Sequence, residues 1–188
     1  MKRWPVPKSY TKNLPTSRTP GSFWENRGDR YHCGVDIYAP EDSDVISVED
    51  GKVIDIGLFT SSLWIPYWNS TYYVLIKNST GYICKYAELR DVNVHVGEQV
   101  NSGQLIGHVS QVLNSQNVTK ESPSYIKKLL KKRKLSMLHF ELHKAFPIQS
   151  KEYFGGNWYG SKKPRYLVNP VLYLLSIIRN SSQQSTLE

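Results

Sequence analysis

Met137-Leu138-His139-Phe140-Glu141-Leu142-His143 alternates in polarity along its length. In an extended chain successive side chains point to opposite faces. The stretch therefore reads as a β-strand, with Leu138, Phe140 and Leu142 on an apolar face. His139, Glu141 and His143 share the other face, so that face can carry chemistry as well as packing.

Far upstream, Arg30-Tyr31-His32-Cys33-Gly34-Val35-Asp36 sets an imidazole four residues ahead of a carboxylate, with a glycine between them. Gly34 lets the chain fold back tightly there. His32, Asp36 and His139 are the right residue types for one divalent ion: a catalytic zinc takes three protein ligands and keeps a fourth position for water. The ion lowers the pKa of that water towards ~7. Taken alone, H-x-x-x-D more often marks a structural pair than a metal site.

Between these two stretches the chain reads as antiparallel β. Val45 to Val48 and Lys52 to Ile56 flank Glu49-Asp50-Gly51, which reads as a hairpin. Thr71 to Ile76 and Tyr82 to Leu89 read as a second hairpin, turning at Asn78-Ser79-Thr80-Gly81. Gly57 to Ser70 reads as a loop. Val92 to Val109 holds short strands punctuated by Gly97, Gly103 and Gly107. Asn169-Pro170 opens a final helix, because Asn suits the N-cap and Pro the first helical position. Sheet dominates, so the expected fold is all-β, an antiparallel sandwich or open barrel with a short C-terminal helix and one basic helical insertion.

The expected layout is an extended N-terminal arm over 1–22, a single domain over 23–179 with an insertion at about 110–136, and a disordered tail over 180–188. Within the insertion Ile126, Leu129 and Leu130 sit at helical spacing. Ile126 to Lys134 holds six positive residues, Lys127, Lys128, Lys131, Lys132, Arg133 and Lys134, and no acidic one. The net charge of +8 over 188 residues rests largely on it. It reads as a solvated helix face or as a patch for an anionic polymer. No nucleic-acid motif accompanies it.

The chain is 39% hydrophobic and 21% charged, as in an ordinary globular domain. Cys33 and Cys84 are too few for a disulfide framework; one bridge, two buried thiols or a redox pair all stay open. The start, MKRWPVPKSYTKNLP, lacks the apolar run of a secretory signal. No stretch reaches the ~20 apolar residues of a membrane helix. As written, the chain reads as soluble and cytosolic.

The order of motifs resembles the lysostaphin-type zinc metallopeptidases, which cut peptide cross-links in peptidoglycan. The resemblance is carried by Tyr31-His32-Cys33-Gly34-Val35-Asp36-Ile37-Tyr38-Ala39-Pro40, Asp50-Gly51-Lys52-Val53, Lys85-Tyr86-Ala87-Glu88-Leu89, Val96-Gly97-Glu98-Gln99-Val100, Gly103-Gln104-Leu105-Ile106-Gly107, Leu138-His139-Phe140-Glu141 and Val168-Asn169-Pro170. It implies an all-β barrel-sandwich fold and one zinc ion held by His32, Asp36 and His139. It also implies a peptide or peptidoglycan substrate, which would put the protein at the cell envelope although no export signal is visible.

The chain departs from the family twice. The family writes Tyr-x-His-Leu where this chain has Tyr86-Ala87-Glu88-Leu89, and His-x-His-Phe-Glu where it has Met137-Leu138-His139-Phe140-Glu141. Both missing histidines are the non-ligand ones that handle protons and the oxyanion. Methionine can do neither; glutamate can act as a general base. Glu88 is thus the candidate base, and His143 the candidate for the lost oxyanion donor, although it also reads as a surface histidine. Trp64, Tyr67, Trp68 and Trp158 lie in loops that wall the substrate groove in the family. The competing reading is a zinc-binding pseudo-peptidase that serves as a wall- or partner-binding module. Val94 to Val109 also looks like the hairpin of biotinyl and lipoyl carrier domains, but no exposed lysine sits at a tight tip.

Overall fold

The computed structural model describes residues 2–17, 19–131, 135–146 and 150–184. In chain order the first strands are β1 (Tyr31–His32), β2 (Val35–Tyr38), β3 (Asp44–Ile46), β4 (Gly51–Thr60), β5 (Thr71–Asn78) and β6 (Ile83–Val92). Then come β7 (Gln99–Val100), β8 (Leu105–Val109), helix α1 (Ser124–Lys131) and β9 (Met137–His143). The chain closes with β10 (Tyr153–Phe154), β11 (Asn157–Trp158), β12 (Leu167–Val168) and helix α2 (Val171–Gln184).

The main sheet is antiparallel and runs β12-β9-β6-β5-β4-β7, with β2 also on β9, and β8 joining β3 to the end of β6. It does not close into a barrel. A small sheet, β1-β11-β10, stands beside it.

β9 is the axis of the site. Its edge facing β2 aligns Asp36 with His139, and its other edge, facing β6, aligns Ala87 with His139. The expected alternation holds: Leu138, Phe140 and Leu142 enter the main core with Val35, Ile37 and Tyr86. All seven β9 residues are buried, so its polar face lies under other structure rather than in solvent.

The second hairpin forms as expected. β5 pairs with β6, and the Asn78 N–H donates to the Tyr82 carbonyl across the turn. The first does not. Val45 pairs with Gly107 on β8, whereas Val53 pairs with Ile76 on β5, so the Asp50-Gly51 turn joins strands with different partners. The loop expected from Gly57 begins later, because β4 runs on to Thr60.

The N-terminal arm contributes to the core. Trp4 and Val6 are buried in the same cluster as Leu174 and Ile177 of α2. Backbone bonds run from the Arg3 N–H to the Val48 carbonyl and from the Ile46 N–H to the Pro5 carbonyl. α2 starts under the expected cap, with the Val171 N–H donating to Asn169 Oδ1 at 3.0 Å. It continues to Gln184, past residue 180 where a tail was expected; 185–188 lie outside the described residues. Cys33 and Cys84 are free thiols, both buried.

Candidate active site

The small sheet positions His32 and the main sheet positions Asp36. β1 pairs His32 with Asn157, and the Cys33 N–H donates to the Gly156 carbonyl. Gly34 is the corner between the two sheets. A Cβ there would lie 2.5 Å from the Phe140 carbonyl oxygen and 2.9 Å from the His139 ring. The glycine thus serves clearance against β9, since its φ is not in the left-handed region.

The structure brings the three candidate ligands together. His32 Nε2 lies 2.9 Å from His139 Nδ1, and each lies 3.1 Å from Asp36 Oδ1. Tetrahedral ligation at ~2.0–2.1 Å puts donors ~3.3 Å apart, so this triangle nearly has the size one ion needs. The outer nitrogens are also fixed. His32 Nδ1–H donates to the Ser22 carbonyl at 2.9 Å, and His139 Nε2–H donates to Glu141 Oε1 at 2.8 Å. Each ring therefore turns its other nitrogen inward, the arrangement that orients histidine ligands in metal sites.

The electrostatics follow from burial and neighbours. Burial pushes His32 down, so it stays neutral. Burial works the same way on His139, but hydrogen bonds and charge from Asp36 and Glu141 outweigh it and raise His139 to about 9. Burial alone would raise Asp36; His32 and His139 together hold it well below the usual carboxylate range. His139 therefore carries a second proton, on the nitrogen that faces Asp36.

Glu141 supports the set from behind. It is fully buried and also accepts from the Tyr153 hydroxyl at 2.6 Å and from His143 Nε2 at 2.9 Å. Lys85 Nζ donates to the same tyrosine at 2.7 Å, and its charge is the largest of those holding Glu141 ionised against burial. His143 is only 1% exposed, so it is no surface histidine. It reaches the site through Glu141 and lines a cavity of about 610 Å³ instead of the small space at the triangle.

Glu88 is re-aimed by a β-bulge. Tyr72 pairs with Leu89 while Tyr73 pairs with Ala87, so Glu88 is the extra residue, with φ 64°. Bulges next to active sites commonly redirect a side chain. Cys84 and Tyr86 face the core, and an unbroken strand would turn Glu88 the same way. The bulge breaks that alternation. Glu88 instead borders a cavity of about 50 Å³ beside His32, Asp36 and His139, together with Met137. Its Oε2 is buried with no hydrogen-bond partner among the described residues. Burial, and then the Asp36 charge, raise its carboxyl to about 8.

Of the aromatic candidates, Trp64 and Trp158 line the 610 Å³ cavity, whereas Trp68 lines the small one. Tyr67 borders neither and packs edge-on against Trp68. Lys127, Lys128 and Lys131 are exposed on α1; Lys132, Arg133 and Lys134 lie outside the described residues. Sequence reasoning missed Arg27, whose Nη2 stands 3.6 Å from Asp36 Oδ2 and whose Nη1 donates to Asn157 at 3.0 Å. It also missed that Tyr153 and Lys85 stand behind Glu141; no spacing in the sequence ties these residues to β9.

A family model described as Peptidase family M23 matches residues 30–152, a stretch that holds β1 through β9 and all of the triangle. The chain belongs to peptidase family M23. A curated relative, the glycyl-glycine endopeptidase ALE-1 of Staphylococcus capitis, is 32% identical over 76 residues, covering 40% of this chain and 19% of that protein. The catalytic domain of lysostaphin from Staphylococcus simulans superposes with a TM-score of 0.51 at 17% identity, covering 87% of this chain and 92% of that one. Full lysostaphin gives 0.53 at 19% identity, covering 94% and 56%. These structures support the lysostaphin-like fold of this M23 chain. Among the described residues no helix is long and apolar enough to cross a membrane.

Proposed function

We propose that this M23 chain is a zinc-dependent endopeptidase that cuts peptide cross-links of bacterial cell wall. The observation that carries the reading is the triangle of His32 Nε2, Asp36 Oδ1 and His139 Nδ1, with both outer nitrogens already committed. His32, Asp36 and His139 would hold the ion. Once bound, the ion would supply Lewis acidity for a peptide carbonyl and a lowered pKa for the attacking water.

The remaining work falls to the chain. In its ionised form, which it reaches above about pH 8, Glu88 takes the proton of the attacking water on its buried oxygen and hands it to the leaving amine. Glu141, backed by His143 and Tyr153, keeps the His139 ring in its ligating tautomer. His143 is therefore a positioning residue here rather than an oxyanion donor. The glycyl-glycine activity named for the ALE-1 relative makes an oligoglycine cross-link the first substrate to test. A wall substrate would place the protein at the cell envelope.

A second reading is favoured by Met137, which borders the site where the family has a proton-handling histidine. On that reading the chain binds zinc and a wall fragment without turning over. Zinc content, cleavage of peptidoglycan and of an oligoglycine peptide, and Glu88→Gln separate the two. The peptidase reading expects one zinc per chain, cleavage, and at least a hundredfold loss in Glu88→Gln. Full zinc with no cleavage of either substrate would favour the binding module. Cleavage untouched by Glu88→Gln would remove Glu88 as the base.

A further inference from the structure

The triangle is closed to anything as large as a peptide. His32, Asp36 and His139 are 1%, 7% and 2% exposed, and the adjoining 50 Å³ is room for one or two waters. Yet this pinch lies between two large cavities that share its walls. Gly155 borders both the small cavity and the one of about 610 Å³. Arg27, Asp36 and Leu129 border both the small cavity and another of about 490 Å³ on the other side. Three cavities with such shared walls would make one trough, narrowest at the candidate ligands.

One apolar cluster supplies several of the side chains that narrow it. Trp68, Leu113 and Ile126 form an apolar cluster of their own, with Leu129 and Phe154 packed against it, and none of them belongs to the main core. The segment carrying Leu113, Ile126 and Leu129 departs and returns at one spot. There the Val112 N–H donates to the Leu135 carbonyl at 2.7 Å, and Gln111 bridges Ser136. It leans on the β4–β5 loop through the Asn114 N–H to the Tyr67 carbonyl and Asn117 Nδ2 to the Pro66 carbonyl. The segment can therefore come away from its stem without opening the β-sheet core.

We propose that the segment from Leu113 to Lys131 is an autoinhibitory cover, its α1 side chains Ile126 and Leu129 plugging the trough over the triangle until it swings out on its stem. The inference rests on the peptidase reading only in taking the trough as the path of a peptide. Local opening of such a satellite cluster leaves most of the fold intact. The exposed Lys127, Lys128 and Lys131 keep the outer face of the plug in water while Ile126 is buried beneath.

The test needs a reporter independent of the ion. Met137 is 4% exposed and borders the small cavity, so Met137→Cys places a thiol under the cover. The parent protein gives the background from Cys33 and Cys84. Labelling by a neutral thiol reagent is compared between Met137→Cys alone and the same protein carrying Ile126→Ala with Leu129→Ala. A second version replaces 114–134 by a short turn across the adjacent stems, so that misfolding of either variant does not decide the matter. Each variant's circular dichroism is checked first. The cover predicts labelling at least tenfold faster in both altered proteins, with a matching rise in the rate at which a chelator strips zinc. Equal labelling rates in folded proteins would overturn it. Faster labelling in a protein that takes up no zinc would sink the peptidase reading and leave the cover standing; zinc uptake and cleavage with equal labelling would do the reverse.

Discussion

Replacing Glu141 with glutamine keeps the shape of the side chain and removes its charge. Three donors converge on this carboxylate: His139 Nε2–H and the Tyr153 hydroxyl on one oxygen, and His143 Nε2–H on the other. Glutamine can keep its oxygen on His139 and Tyr153, but its amide donates towards His143 Nε2, which forces that ring's proton onto Nδ1, a buried nitrogen with no partner among the described residues. A hydrogen bond to a charged group is worth ~1.5–3 kcal/mol. Removing one partner of a buried charged set costs ~3–5 kcal/mol. Lys85 adds to that cost, because Glu141 is the strongest of the charges opposing the burial that lowers its pKa. The expected loss is ~3–5 kcal/mol, a large share of the ~5–15 kcal/mol that holds a domain together. Loss of the His139 orienting contact should also weaken zinc ~10–100-fold.

Urea unfolding without zinc measures the first quantity, and chelator competition measures the second. The acid side gives a sign check. The Glu141 carboxyl is held well below its ordinary value of 4.5, so its contribution is complete above that pH and fades as pH falls towards the folded value. Glu141→Gln should therefore flatten the acid limb of the stability profile. A glutamine variant with an unchanged urea midpoint and a zinc affinity within twofold of the parent would refute the argument.

Zinc uptake should release about one proton near pH 7, since His139 with its pKa of about 9 must give one up. Affinity should then rise about tenfold per pH unit up to about 9, which calorimetry in buffers of different ionisation enthalpy would show. In the zinc-free protein the same raised pKa stabilises fully below the ordinary 6.5 and is lost as pH climbs through about 9, so the melting temperature should fall across that window. Gly34→Ala drives a methyl into the Phe140 carbonyl and the His139 ring; ~1–3 kcal/mol of destabilisation and weakened zinc binding are expected from unfolding curves and titration. Asn169→Ala removes the α2 cap and should cost ~1 kcal/mol with no change in zinc affinity, measured the same way.

The strand at 137–143 was legible because its alternation is unbroken and its apolar half has one place to go. The convergence of His32, Asp36 and His139 followed from the resemblance to a known motif order; periodicity alone could not pair β2 with a strand so distant in the chain. The turn at Asp50-Gly51 misled for the opposite reason. Its local signal is real, but β3 and β4 bury more by pairing with β8 and β5 than with each other. Glu88 was picked out as a substitution, whereas the left-handed backbone that turns it towards the site has no signature in Ala87-Glu88-Leu89. The arm was read from its Pro and Lys content, which masked Trp4 and Val6 as core residues. The closure of the trough depended on where Ile126 and Leu129 land, and an amphipathic pattern fixes a face without naming what it meets.

Trp4 and Val6 share one packed layer with Leu174 and Ile177, and Lys2 lies 3.8 Å over the Tyr173 ring. These earliest and latest segments seal the same hydrophobic floor. During synthesis the arm can bond to Ile46 and Val48 early, but its meeting with α2 waits until that helix has emerged. The sheet can assemble during translation, but its underside closes only afterwards, leaving an interval in which a nascent chain exposes Trp4 and Val6 to whatever binds apolar segments.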